Sequence, residues 1–409
     1  MKKIVIIGGG PAGLTTAINA SCDNNNVVIL ERNGEVGKKL LLTGNGRCNY
    51  FNKDIDSSYY YSNNDNILPS IFTENNIMLV HKFFKELCIE TKIKNGYMYP
   101  FSNKASTIRN ALLEEATRRG VEVRYNYDVR EISYKDNKYI INKSIECDYL
   151  VIACGGKSFP RTGSTGDGEI FANNLSLNFV PLYPSLVKMH SKLKTDAWAG
   201  VRSDAEVSLF VDNKMVKKEA GELQLTKDGI SGICVFNISR EAVIGLSRNR
   251  SVVVFINFLP FINYDECISY LDNKAKLTDT ITVSSFLSRI LNEKLVKAIL
   301  VESSIKETKI YQDLSYEEKV NLARNLCKFK LVINSTDDFE TAEVTSGGIS
   351  LLELDTTSFE VNRYPGLYVV GEVADVDGIC GGYNLGFAWI SGILAGNNIR
   401  SKSWYVYVI

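Results

Sequence analysis

The sequence predicts an α/β fold carrying a β-rich insert, and three observations support this. The apolar strand in MKKIVIIGGGPAGL runs directly into Gly8-x-Gly10-x-x-Gly13. A second apolar strand, VVIL, ends on Glu31, eighteen residues past Gly13. Strands followed by paired glycines return near the C-terminus, in TAEVTSGGI and PGLYVVGEVADVDGICGGYN, so the domain begun at residue 1 is completed by the other end of the chain.

The first element dictates a chemistry. Gly8 permits a tight turn off the strand, Gly10 lets a pyrophosphate approach the backbone, and Gly13 lets the next helix pack closely. That helix starts under the phosphates, where its free N–H groups and dipole stabilise negative charge. Glu31 stands where ribose hydroxyls can donate to it. An acid there disfavours a 2′-phosphate, so the adenosine of FAD or NAD is expected.

Composition bounds the rest. A chain of 409 residues, 45% apolar, with 47 basic and 47 acidic side chains, reads as a globular protein of two or three domains. Nothing in that balance calls for nucleic acid or an anionic membrane. The first strand leaves no room for a signal peptide, and no apolar run approaches the roughly 18 residues of a membrane span. A cytoplasmic location is expected. Nine cysteines in irregular spacing read as reduced thiols; the absence of CxxC removes a redox dithiol and a zinc ribbon. Two histidines, His81 and His190, leave almost no material for a histidine metal site or a Ser-His-Asp triad. No metal is expected, and His81, in MLVHKFFKEL, reads as structural.

After Glu31 comes a glycine-bearing loop, GKKLLLTGNGRCNYFN. Helical patterns follow over 76–90 and 104–119, the second ending at Gly120. VEVRYNYDV alternates as a strand, a hairpin turns at Asp136-Asn137, and DYLVIACGG is a buried strand ending at Gly155-Gly156. This order resembles flavoproteins with two dinucleotide-binding domains, in which the chain meets the cofactor again at such a GG. From about 190 the pattern changes. AEVSLFVDNKMVKKEAGELQLT and SVVVFINFLPF are strand-like, whereas 265–330 is helical with charged faces that read as solvated. The expected division is a discontinuous cofactor domain, 1–190 and 336–409, an inserted β domain, 191–262, and a small helical domain, 263–335. At the end, Glu372 after LYVV could hold ribityl hydroxyls. The helix opening at Gly382-Tyr383-Asn384 could aim its N–H groups at the flavin N1/C2=O edge.

Four separated motifs, GNGRCNYFN, ACGGKSFPRTGSTGDGEIFA, TKDGISGICVFNISR and TAEVTSGGISLLELD with GEVADVDGICGGYNLGFAWISG, resemble a bacterial family of FAD-binding proteins. Its members are known as NAD(P)/FAD-dependent oxidoreductases or aminoacetone oxidase-like enzymes, and they include a reductase of bile-acid dehydro-intermediates. The resemblance covers essentially the whole chain. It implies a Rossmann-like FAD domain, an inserted β-barrel-like domain and a small helical domain. It places cofactor contacts on Gly8, Gly10, Pro11, Ala12, Gly13, Glu31, Arg32, Lys39, Gly46, Arg47, Cys48, Asn49, Val129, Ala153, Gly155, Gly156, Glu372, Asp377, Gly382, Tyr383 and Asn384. Val129 rests on its strand, YNYDV, whose backbone could meet the adenine edge. The chain departs from the family at Asn45, where glycine is usual, at Ile233, where proline often follows GxSG, and at Phe359-Glu360-Val361-Asn362. The last departure could alter what approaches the flavin.

Flavin performs hydride chemistry at N5, and the protein supplies position, charge and access. The expected reaction is NAD(P)H-linked reduction of an unsaturated or carbonyl-conjugated small molecule, with NADH or NADPH binding transiently. The alternatives are an oxygen-using amine oxidase of the aminoacetone type and a non-catalytic flavin sensor. Tyr383 and Asn384 are candidate flavin-face residues, and spacing selects no proton donor. Cys48, Cys154 and Cys380 read as small buried thiols.

Overall fold

The computed structural model describes residues 1–193, 196–277 and 281–405, so the expected segment limits reach beyond it at 194–195, 278–280 and 406–409. The chain separates into two compact units, one of Met1–Pro184 with Phe339–Ile409 and one of Ser185–Asp338.

The first unit opens with strand β1, Lys2–Ile7, helix α1, Pro11–Ala20, and strand β2, Asn25–Leu30. Ile4, Val5 and Ile6 are fully buried, as expected of a strand covered on both faces. Helices α2, Glu74–Glu86, and α3, Ala105–Arg118, follow, with Thr73 capping the first. Gly120 lies just past α3 in the left-handed region at φ 76°. Strand β3 covers only Glu122–Arg124, shorter than the alternation of VEVRYNYDV suggests. Asn126 turns left-handed at φ 54° and donates its N–H to the Asn33 carbonyl, which diverts the chain over the end of β2. Asp136 and Asn137, at φ 52° and 59°, make the expected hairpin turn. Strand β4, Tyr149–Ile152, then enters the sheet beside β1.

The second unit is a closed barrel. Its strands are β5, Met189–Ser191, β6, Arg202–Val211, β7, Lys214–Leu225, and β8, Gly229–Ser231. Helix α4, Ile233–Ser247, joins the barrel's core through Cys234, Val235, Ile238 and Ala242, and strand β9, Val252–Asn257, follows. Helices α5, Tyr264–Ala275, α6, Glu293–Glu302, and α7, Tyr316–Cys327, precede the last strand, β10, Phe329–Thr336. Barrel order is β5-β8-β7-β6-β9-β10. The helices therefore interrupt the barrel rather than succeed it. Burial of Phe329, Leu331 and Ile333 alternating with exposed Lys330, Val332 and Asn334 marks the strand that the charged helical segment conceals in the sequence. Met189 and His190 likewise belong to the barrel, Met189 pairing with Ile230 and Thr336.

The chain then returns to the first unit through β11, Val344–Ile349, β12, Leu367–Val369, and helix α8, Tyr383–Tyr405. The seven-stranded sheet runs from a short antiparallel pair, Leu354–Asp355 and Glu360–Val361, through β12-β4-β1-β2-β3. The other five strands are parallel, with Val151 opposite both Ile6 and Tyr368. Helix α8 lies against α1 at glycines. A Cβ on Gly392 would fall 2.8 Å from the Ala12 carbonyl oxygen, and one on Gly396 2.6 Å from Asn19 Cβ.

Two of the noted departures follow from this backbone. Asn45 sits at φ 55°, where asparagine is among the least strained substitutes for glycine. Ile233 is the first residue of α4, a position that suits proline but does not require it. The third departure does not face the cofactor region. Phe359 is fully buried with its ring 5.7 Å from Phe387, and Glu360–Val361 is paired between Leu354–Asp355 and β12.

Candidate functional site

At the end of β1 the three motif glycines have different causes. Gly8 holds φ at 105°, and a Cβ there would lie 2.5 Å from the Ala153 carbonyl oxygen. A Cβ on Gly13 would lie 2.0 Å from the Gly8 carbonyl oxygen. Both are therefore glycine for the protein's own packing. Gly10 is not: its φ and ψ are −80° and −174°, open to any residue, and a Cβ there meets nothing within 4 Å. Pro11 occupies the first turn of α1, where its missing N–H costs nothing, and Ala12 follows it. No side chain caps α1, so its leading N–H groups face the space beside Gly10.

Glu31, 7% exposed, accepts 2.8 Å bonds from the Gly9 N–H on one oxygen and from the Asn33 N–H on the other. Oε1 also accepts from Asn33 Nδ2 at 2.8 Å, so Oε2 is the oxygen that retains a second lone pair for a hydroxyl. Arg32 is tied into the protein: Nη2 lies 2.6 Å from Asp128 and 2.9 Å from Asp167. Val129 is buried but lies beyond the end of β3, so it is not the strand residue its sequence suggests.

A second cluster forms where β4 and β12 end. Ala153 follows β4 and is buried; Gly155, at φ 76°, lies near Ser164. A Cβ on Gly156 would fall 2.4 Å from Thr345 Oγ1. Glu372 accepts from Lys39 Nζ at 2.8 Å, Thr345 N–H at 2.8 Å and Ser158 Oγ at 3.1 Å. Burial pushes the Glu372 carboxyl upward, but the Lys39 ammonium and these donors outweigh it and hold the group below the usual range. The expected ribityl acid is thus engaged by three protein donors, which tie it to Lys39 and to β11. Ser158 and Thr345 escaped the sequence reading, because hydroxyls in glycine-rich loops carry no periodic signal.

The third cluster joins the 43–49 loop to the start of α8. Asn49 Oδ1 is buried with no hydrogen-bond partner and lies 3.1 Å from where a Cβ on Gly382 would sit. That Cβ would also lie 2.6 Å from the Phe51 carbonyl oxygen, so Gly382 is glycine for the loop's packing as well. Cys48 is buried at φ 57°, and burial pushes its thiol up to about 12; Cys380 is pushed to about 11 in the same way. Both are protonated at neutral pH, which agrees with a packing role. Arg47 places its guanidinium 5.8 Å from the Tyr99 ring, while Gly46 is exposed. Tyr383 packs among Tyr59 and Tyr60 at ring separations of 4.9 and 5.7 Å, and burial raises its phenol. Asn384 holds the neighbouring backbone with part of its amide. Oδ1 accepts from the Gly378 N–H at 2.8 Å and Nδ2 donates to the Gly378 carbonyl at 2.9 Å, clamping the buried Asp377–Gly378 strand.

Glu343 is the residue that sequence reasoning could not select. It stands in the bend immediately before β11, two positions before Thr345, whose N–H donates to Glu372. Its carboxylate is within electrostatic reach of Lys39 and of the Cys380 thiol, which immediately precedes Gly381-Gly382. It is exposed to solvent, yet the protein beside it raises its carboxyl above the usual value, against the pull of Lys39.

A Rossmann family model, described as HI0933-like protein Rossmann domain, matches residues 2–398. The chain belongs to the HI0933-like family. Among relatives of this HI0933-like chain, a 3-dehydro-bile acid delta(4,6)-reductase of Clostridium scindens is 33% identical over 97% of this chain and 98% of its own. A ribosomal RNA dihydrouridine synthase of Escherichia coli is 29% identical over 95% of each. Solved structures share the fold at low identity. A 3-ketosteroid delta1-dehydrogenase of Sterolibacterium denitrificans has a TM-score of 0.52 at 10% identity, covering 98% of this chain and 100% of its own. A flavocytochrome c3 fumarate reductase has a TM-score of 0.51 at 14% identity, covering 98% and 78%. The protein is an FAD-dependent oxidoreductase of this family.

The residues fit the cofactor. Gly10 leaves room that no protein atom fills, Glu31 keeps acceptor capacity beside it, and the orphaned Asn49 oxygen lacks only a donor. No helix of the described residues is long and apolar enough to cross a membrane.

Proposed function

We propose that this HI0933-like protein reduces a carbon–carbon double bond conjugated to a carbonyl, with NADH or NADPH as the electron source. The observation that carries this is what the names of two full-length relatives share. A delta(4,6)-reductase acting on a 3-dehydro bile acid and a dihydrouridine synthase both add two hydrogens across a ring double bond in conjugation with a carbonyl.

FAD, when bound, supplies hydride transfer through N5. The chain's own residues do the rest. The free N–H groups of α1 beside Gly10 hold the pyrophosphate, and Glu31 accepts from the adenosine ribose. Lys39, fixed by Glu372, keeps a positive charge at the site. Hydride reaching the β carbon leaves negative charge toward the carbonyl, and the α carbon needs a proton. Glu343 provides it: it stands in the bend before β11, within electrostatic reach of Lys39 and Cys380, and the protein around it raises its carboxyl above the usual value. Net change is one hydride from the nicotinamide and one proton gained by the substrate.

The test is anaerobic mixing of the FAD-loaded protein with NADH or NADPH, followed by a 3-oxo-Δ4 steroid or a uridine oligonucleotide. Bleaching by the nicotinamide and recovery on adding the conjugated carbonyl compound is expected. Bleaching by aminoacetone, with recovery only on adding oxygen, refutes the reading. Glu343→Gln should lower turnover by about 10²–10⁴-fold with FAD affinity unchanged. The wild-type loss of rate as pH rises through the Glu343 carboxyl should vanish with it.

A further inference from the structure

The barrel unit holds a cavity of about 480 Å³ lined by the outward face of β10, the chain beyond β5 and the C-terminal ends of α6 and α7. Four cations open onto it: Lys192, Arg324, Lys328 and Lys330, against a single acid, Glu302. All four cations are exposed, and among the described residues none forms an ion pair. Elsewhere in the same unit lysines do pair, Lys309 with Glu318 at 2.7 Å and Lys319 with Asp272 at 2.9 Å. The contacts of the cavity residues are with neutral groups. Arg324 donates to Asn321 at 3.3 Å, Lys328 lies 4.2 Å from the centre of the Tyr264 ring, and the Lys192 main-chain N–H is held by Asn334 at 2.8 Å.

Four like charges with one acid among them repel one another and create a net positive potential in the concavity. An anion of more than one negative charge removes that repulsion, and a guanidinium fork with ammonium groups suits phosphate oxygens. Val332 and Leu193 add apolar surface for the organic part of such a ligand. We propose that this cavity binds phosphate esters, whether carried on a free nucleotide or on the backbone of a single-stranded RNA. The site is independent of the reduction reaction, being formed wholly within residues 191–334.

The FAD-loaded protein is titrated with fluorescent UMP and with a fluorescent oligouridylate, read by anisotropy at several salt concentrations. Loading with FAD keeps the dinucleotide site from capturing either probe. The double substitution Lys192→Glu/Lys330→Glu is compared with Lys294→Glu/Lys306→Glu, which makes the same charge change on exposed residues outside the cavity. The cavity pair should weaken binding about tenfold or more. For the oligouridylate, the slope of log affinity against log salt should fall by about 0.7 for each phosphate that the variant no longer neutralises. The matched pair should leave both nearly unchanged. Equal weakening of UMP and oligouridylate identifies a single-phosphate site, whereas oligouridylate binding alone identifies the RNA backbone. The proposal is overturned if neither probe binds the wild-type protein at low salt, or if the two double variants weaken binding equally. Unchanged flavin absorbance and thermal unfolding in both variants exclude misfolding.

Discussion

Gly10→Ala separates what the protein needs from what its ligand needs. The backbone at Gly10 is extended, and an added methyl meets no atom within 4 Å, so the apo protein should tolerate it fully. Removing a glycine from the unfolded chain should stabilise the apo state by about 0.4–1 kcal/mol. For a unit of this size that raises the melting temperature by about 1–2 °C. The same methyl stands in the space where the pyrophosphate must approach the uncapped start of α1. Losing one charge-assisted hydrogen bond costs about 1.5–3 kcal/mol, which is roughly a 10- to 150-fold weaker FAD affinity. Apo protein, stripped of flavin and melted in its absence, gives the first quantity; quenching of flavin fluorescence on titration gives the second. Gly13→Ala, whose methyl would sit 2.0 Å from the Gly8 carbonyl oxygen, is the opposite control and should destabilise the apo protein itself. FAD affinity in Gly10→Ala within threefold of wild type, or an apo melting temperature well below it, would falsify this placement of the pyrophosphate.

Glu31→Gln keeps one oxygen acceptor but loses the charge shared by the Gly9 and Asn33 N–H groups; apo stability should fall by about 1–2 kcal/mol in urea unfolding, and FAD should bind more weakly. Lys39→Met leaves the Glu372 carboxylate without its cation and should cost about 1–3 kcal/mol near neutral pH. Because the folded-state Glu372 carboxyl lies below its ordinary value, the stability it contributes is present above that value and is lost on acidification. The gap between wild type and Lys39→Met should therefore close as pH falls through the carboxylate range, and a gap that widens in acid refutes the assignment. Gly396→Val drives a side chain into Asn19 and the Thr16 carbonyl across the α1–α8 contact, and should cost about 1–3 kcal/mol in thermal unfolding.

The N-terminal turn was legible because its chemistry is local: strand, glycines and acid lie within 31 residues, and each glycine has a separate steric or ligand cause. The hairpin at Asp136-Asn137 was legible for the same reason. The Lys39–Glu372 pair was not, since its members are 333 positions apart and each alone reads as a surface charge. The second task of Asn384, bonding the Gly378 N–H and carbonyl at once, was not legible because that backbone comes into reach only in the folded turn. Strand β10 was hidden by the charged helices before it, its outward Lys330 and Asn334 continuing their polar pattern. The cation-lined cavity is a product of that same strand, bringing Lys192 beside Lys330 only once the barrel closes.

The strand order of the first unit sets a schedule for its own synthesis. Strand β4 occupies the middle of the sheet, and its outer neighbour β12 is separated from it by more than two hundred residues. While the barrel is being made, the nascent N-terminal half therefore exposes the free edge of an apolar parallel strand, and α1 lacks the helix that covers its Ala12 and Thr16 face. Unsheltered edges of this kind invite pairing with other chains. The barrel is closed before the edge can be, because β10 leaves the ribosome ahead of β12. A ribosome stalled between these two strands would release a finished barrel attached to an aggregation-prone half-sheet.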